Sequence, residues 1–182
     1  LTLSTFTFDC SMVGPNTIYL YATDASGNID SAIAIVTVQD TIQTYLSAQD
    51  ITISLDAFGQ ASITTSQIDN GSSDNCNLSL SLSTSSFDCS NVGMNTVYLI
   101  ATDASGNIDS ASAVVTIQDT LKPKVMTKNI NVVLDPYGQA FIQPFQVNMG
   151  SSDNCGIAFF TLSKTNFNCA ELGDHLVYLV AE

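Results

Sequence analysis

Apolar and polar residues alternate along this chain in short runs, and clusters of Gly, Asn, Asp and Ser separate the runs. Leu78, Leu80 and Leu82 alternate with serines, which predicts a strand with one buried face. Thr17–Tyr21, Ile33–Val38, Ile51–Leu55, Gln60–Thr64, Thr96–Ala101 and Ser112–Gln118 are further runs whose β-branched, aromatic or alternating content suits strands. Between the first two lies Ala22–Ala32, reading ATDASGNIDSA. Its Asp-Ala-Ser-Gly-Asn core has the chemistry of a tight turn, because Asp caps its own backbone and Gly supplies a positive φ without a Cβ penalty. A β-hairpin is predicted there. Asp56–Gly59 and Val92–Asn95 read as turns, Asp69–Asn75 as a polar loop and Phe87–Cys89 as a bend. No helical period of useful length is present. About seven short strands in one unit predict an all-β, Greek-key, immunoglobulin-like β-sandwich. Trp is absent, so the central Trp of antibody domains is missing.

The pattern repeats. ATDASGNIDSA returns unchanged at Ala101–Ala111, 79 positions on. Gln39-Asp40-Thr41 returns as Gln118-Asp119-Thr120, and Ser72-Ser73-Asp74-Asn75-Cys76 as Ser151-Ser152-Asp153-Asn154-Cys155. Leu55-Asp56-Ala57-Phe58-Gly59-Gln60-Ala61 returns as Leu134-Asp135-Pro136-Tyr137-Gly138-Gln139-Ala140. A tandem array of sandwich repeats of about 79 residues follows. Residues 1–40 are the C-terminal part of one repeat, 41–119 a complete repeat and 120–182 the N-terminal part of a further one. Both ends are expected to lie inside repeats. The apolar runs fall far short of the ~20 residues that span a bilayer.

Charge narrows the partners. The chain has 4 Lys, no Arg and 17 acidic residues, for a formal charge of −13. Such a surface repels nucleic acid and anionic membrane, and it offers acidic loops to divalent cations. The five cysteines fit one disulfide per repeat. Proximity in sequence pairs Cys76 with Cys89 and Cys155 with Cys169, and puts the partner of Cys10 before the first residue. Zinc is the rival reading, set against the absence of any C-x-x-C and the presence of one His. Disulfides imply an oxidising, extracytoplasmic location.

A cysteine pair, a strand ending in Ala-Thr-Asp, the following Ala-Ser-Gly-Asn and a last strand ending in Val-Gln-Asp-Thr resemble hyalin-type (HYR) immunoglobulin-like repeats. Leu-Asp-x-x-Gly-x-Ala, Gly-Ser-Ser-Asp-Asn-Cys and Asn-Val-Gly are closer still to the SprB-type repeats of mobile surface adhesins in gliding Bacteroidetes. That resemblance implies type IX secretion, outer-membrane attachment at the cell surface and gliding motility. The implied partners are neighbouring repeats, the gliding or secretion machinery and, through a distal tip, an external surface or polysaccharide. On this reading the chain is a non-enzymatic stalk. The rivals are a carbohydrate-binding repeat and an accessory repeat of a secreted enzyme.

No cofactor is required on this reading, and calcium is the one candidate. Asp24, Asn28, Asp103 and Asn107 in the hairpin turns, Asp40 and Asp119 at the repeat junctions, and Asp69, Asp74 and Asp153 in the polar loops supply oxygen donors. Calcium takes six to eight oxygens, more than one turn provides, and plain turn hydrogen bonding is the competing account. Asp-Ser/Thr-apolar at Ser31, Thr41, Ser110 and Thr120 resembles the O-glycosylation signal of Bacteroidetes; a bare repeated linker is the alternative. His175 has no counterpart in the other repeats and no nucleophile set beside it. Tyr19, Tyr98 and Tyr178 recur before the hairpin, as packing residues or as sugar-stacking rings.

Overall fold

The computed structural model describes residues 1–104 and 106–182; Ser105, in the second Ala-Ser-Gly-Asn sequence, lies outside the described residues. The chain is mostly β, with 44% strand against 9% helix, arranged in several small sheets. The first sheet contains β1 (Thr2–Leu3), β2 (Gly14–Thr23) and β3 (Ile29–Val38). A four-stranded sheet has the order β4 (Ile51–Ser54), β9 (Ile108–Gln118), β8 (Gly93–Asp103), β6 (Leu78–Leu82). β5 (Gln60–Ser62) pairs with β7 (Ser86–Asp88), β10 (Gln139–Phe141) with β12 (Asn166–Asn168), and β11 (Phe160–Leu162) with β13 (Leu179–Ala181). Each of these pairings stays within one sequence period.

The predicted hairpin is present and longer than the apolar runs alone suggest. β2 and β3 pair antiparallel from Gly14↔Val38 to Thr23↔Ile29. The turn closes on Asp24, whose Oδ1 accepts the Ser26 and Asn28 amides at 2.8 Å each, while Gly27 takes φ 87°. Two one-turn helices escaped the sequence pattern, α1 (Thr65–Ile68) and α2 (Pro144–Val147). Each is opened by a glutamine reaching back: Gln67 Oε1 accepts the Thr64 amide at 2.8 Å, and Gln146 Oε1 accepts the Gln143 amide at 2.7 Å.

The chain divides into two compact units. Unit 1 comprises Leu1–Thr52, Ser62–Ser86 and Met94–Thr116; its buried apolar residues include Ile63, Ile68, Val97, Leu99, Ala101, Ala113 and Val115. Along β8 the alternation is plain, with Val97, Leu99 and Ala101 buried and Tyr98 turned outward. On the matching face of β2, Ile18 is buried like Val97, but Leu20 is 38% exposed where Leu99 is 0%. Unit 2 comprises Ile53–Ala61, Phe87–Gly93 and Ile117–Glu182, with Leu55, Phe87, Ile117, Ile142, Val147, Phe167 and Leu179 in its core.

Candidate functional site

The cysteines pair differently from the sequence expectation. Cys10 bonds Cys76 and Cys89 bonds Cys155, each across 66 positions, with Cα–Cα distances of 5.1 and 5.3 Å; Cys169 is free. The expected Cys76–Cys89 and Cys155–Cys169 bonds do not form, and Cys10 finds its partner inside the chain. Strand geometry gives the reason. Cys76 precedes Leu78, which pairs with Asp103 at the last residue of β8. Cys89 lies just before Gly93, at the first residue of β8. Eleven residues at ~3.4 Å each put the two ends of that strand roughly 35 Å apart, whereas a disulfide needs its Cα atoms within about 7 Å. A cysteine at the base of one hairpin therefore meets the cysteine at the top of the next repeat.

Local caps aim the sulfurs. Cys10, Cys89 and Cys169 each open a short 3₁₀ turn. The preceding residue caps it: Asp9 Oδ1 accepts the Ser11 amide at 2.9 Å, Asp88 Oδ1 that of Ser90 at 2.8 Å, and Asn168 Oδ1 that of Ala170 at 2.9 Å. The hydroxyls of Ser11 and Ser90, followed by these amides, hold the Asp9 and Asp88 carboxyls below the usual carboxylate range. Opposite, the Cys76 amide donates to Asp74 Oδ2 at 2.9 Å and the Cys155 amide to Asp153 Oδ2 at 3.0 Å.

Unit 1 gathers three carboxylates at this joint. Asp40 follows β3, Asp74 stands two residues before Cys76, and Asp103 ends β8. One oxygen of each lies within 4.8 Å of the others. Asp40 Oδ1 accepts the Ile42 amide at 3.0 Å and the Asn75 side-chain amide at 3.4 Å. Asp103 is 6% exposed and accepts both the backbone and side-chain amides of Asn107, at 2.8 and 2.7 Å. Asp40 Oδ2 and Asp74 Oδ1 are buried and have no hydrogen-bond partner. In unit 2 the equivalent oxygen of Asp153, Oδ1, is likewise buried and unpartnered, and Asp119 repeats the Asp40 turn through the Leu121 amide at 3.1 Å. Like charges this close repel by a few kcal/mol per pair at an effective dielectric of ~20.

The remaining candidates separate. Asp24 and Asn28 bond each other, with the Asn28 side-chain amide on Asp24 Oδ2 at 2.8 Å, and that amide is the leading cause of the lowered Asp24 pKa. Asn107 supports Asp103 in the same way, so both asparagines do turn work. Asp69 serves its loop, with its pKa lowered chiefly by the Ser72 hydroxyl. Asp74 was among the oxygen donors read from the sequence, as one carboxylate of a polar loop; its recurrence beside a cysteine in Ser-Ser-Asp-Asn-Cys is the signal that ties it to the disulfide. Ser31, Thr41, Ser110 and Thr120 are all exposed. Tyr19, Tyr98 and Tyr178 are 40, 48 and 63% exposed, outside the core. His175 is exposed, its Nε2 2.8 Å from the Glu171 carbonyl oxygen and its ring 5.6 Å from that of Phe167. No protein-family model matches the chain, and no curated protein matches it in sequence.

Proposed function

We propose that the chain is a stretch of tandem immunoglobulin-like sandwich repeats forming the stalk of a secreted, non-enzymatic cell-surface adhesin that serves adhesion and gliding motility. The observation that carries this reading is the contrast between strand pairs, which stay within a period, and disulfides, which cross from one period to the next. A pull along such a chain meets a covalent bond at each joint. Closing a 66-residue loop contributes about 4 kcal/mol in the chain-entropy model, more than the ~3 kcal/mol of a 15-residue loop. Free Cys169 begins a 3₁₀ turn as Cys10 and Cys89 do, which supports a staple of the same kind to a following repeat. The fibre would carry a distal tip away from an extracytoplasmic, outer-membrane-attached base, with neighbouring repeats and the gliding or secretion machinery as partners and exposed Ser31, Thr41, Ser110 and Thr120 as glycan carriers.

The test uses beads coated with antibody to residues 41–119 on living cells of the source organism. Beads that bind and travel along the surface are the expected result. Antigen found only in the medium would overturn the stalk reading and favour an accessory repeat of a secreted enzyme.

One feature favours a second reading, a carbohydrate-binding repeat: Phe58 and Tyr137, at equivalent turn tips, are 84% and 88% exposed. Stacked sugar contacts repeated along an array would add by avidity. Retention of the Phe58→Ala, Tyr137→Ala double variant on polysaccharide resins, equal to wild type, would remove that reading.

A further inference from the structure

We infer that Asp40, Asp74 and Asp103 bind a calcium ion at the joint between two successive repeats. The three side chains come from three separate segments: the linker after β3, the loop before β6 and the end of β8. In Asp40 and Asp74 one oxygen is used up in fixing the carboxylate, by the Ile42 and Cys76 amides. The other, Asp40 Oδ2 and Asp74 Oδ1, is buried without a hydrogen-bond partner. A carboxylate oxygen withdrawn from water needs a donor or a cation. Unit 1 offers no side-chain cation, because it contains no Lys, Arg or His. The recurrence of the orphaned oxygen at Asp153, one period on, marks it as a built feature rather than an accident of one loop.

The donors are all oxygen, with the nearby sulfur of Cys76 committed to a disulfide, which selects a hard cation over zinc or copper. Oxygens within 4.8 Å of one another fit the roughly 4.6–5.2 Å that opposite ligands span around calcium at 2.3–2.6 Å. Magnesium holds its ligands at about 2.0–2.1 Å in a stricter octahedron and gives up water reluctantly, so it suits three segments converging from different loops less well. Bound calcium would cancel the repulsion among the carboxylates and tie β3 of one repeat to the hairpin end of the next, beside the Cys10–Cys76 staple. The site stands on unit 1 alone and does not depend on the stalk role.

The test is calcium titration of the oxidised 182-residue chain after chelator treatment, by calorimetry and by melting. Heat of binding with a Kd of about 0.1–1 mM is expected, in the range of extracellular modules. Melting in 5 mM calcium should lie about 3–8 °C above melting in EDTA, with a smaller rise in 5 mM magnesium. Asp74→Asn and, separately, Asp40→Asn should weaken calcium binding at least tenfold and abolish the calcium-dependent rise. Their melting in EDTA should be no lower than that of wild type, since one like charge is gone. Asp30→Asn, on the exposed part of β3, should keep the full calcium response. No heat and no melting shift for the wild-type chain would overturn the site, without use of any variant. So would an undiminished calcium response in both Asp74→Asn and Asp40→Asn, or equal shifts with magnesium and calcium.

Discussion

Two glycines, one period apart, separate backbone strain from contact with a disulfide. Gly59 and Gly138 both take φ 73°. A Cβ on Gly59 would stand 2.6 Å from Cys89 Sγ and 2.9 Å from the Asn154 carbonyl oxygen; on Gly138 it would meet Cys169 Sγ at 2.5 Å, with the next atom at 4.0 Å. The Cys89 sulfur is pinned by its bond to Cys155, whereas the Cys169 thiol can rotate away. Gly138→Ala should therefore cost about 1 kcal/mol from positive φ, and Gly59→Ala about 2–3 kcal/mol. Urea melts of the oxidised proteins check this, and equal losses would contradict it. The caps give a pH prediction at the same scale. Asp9 and Asp88 have lowered folded-state pKa values, so their contribution is complete above the unfolded value near 3.9 and is lost as pH falls through the lower folded values. Asn168 already caps the third copy without a charge. The Asp9→Asn, Asp88→Asn double variant should keep both disulfides at pH 7 and show a shallower loss of stability below about pH 4 than wild type. An unchanged acid profile by melting would contradict the cap assignment.

At the scale of elements, what was legible was local. The Asp24–Asn28 hairpin could be read because its turn chemistry lies in five consecutive residues, and the β6 and β8 alternation because one buried face fixes period two. The one-turn helices α1 and α2 were hidden, since four residues carry no 3.6-residue period. The carboxylate cluster was half visible. Asp40, Asp74 and Asp103 were all among the candidate oxygen donors, but their meeting depends on segments of successive periods coming together, which no single segment encodes. The 3₁₀ turns that aim the cysteines are likewise local, and their importance shows only once the facing cysteine is placed.

The cysteine pairing belongs to the whole molecule, which is why proximity in sequence misled. Cys76 and Cys89, 13 positions apart, are separated by the length of β8, whereas the bonded cysteines lie 66 positions apart in successive periods. Counting thiols in denatured, unreduced protein should give one per chain, at Cys169, and proteolysis should release the crosslinked pairs Cys10–Cys76 and Cys89–Cys155. Three thiols per chain, or crosslinked Cys76–Cys89 and Cys155–Cys169 peptides with Cys10 free, would contradict this assignment.

The most direct measurement of the joint staples is single-molecule stretching of the 182-residue chain before and after reduction. Each bond encloses 66 peptide steps, so the two together hide 132 of them from the applied force. At ~3.3–3.6 Å per residue, reduction should add about 440–475 Å of contour length. A gain of only about 90–100 Å, the sum for bonds spanning 13 and 14 positions, would place the disulfides inside single repeats and contradict the account.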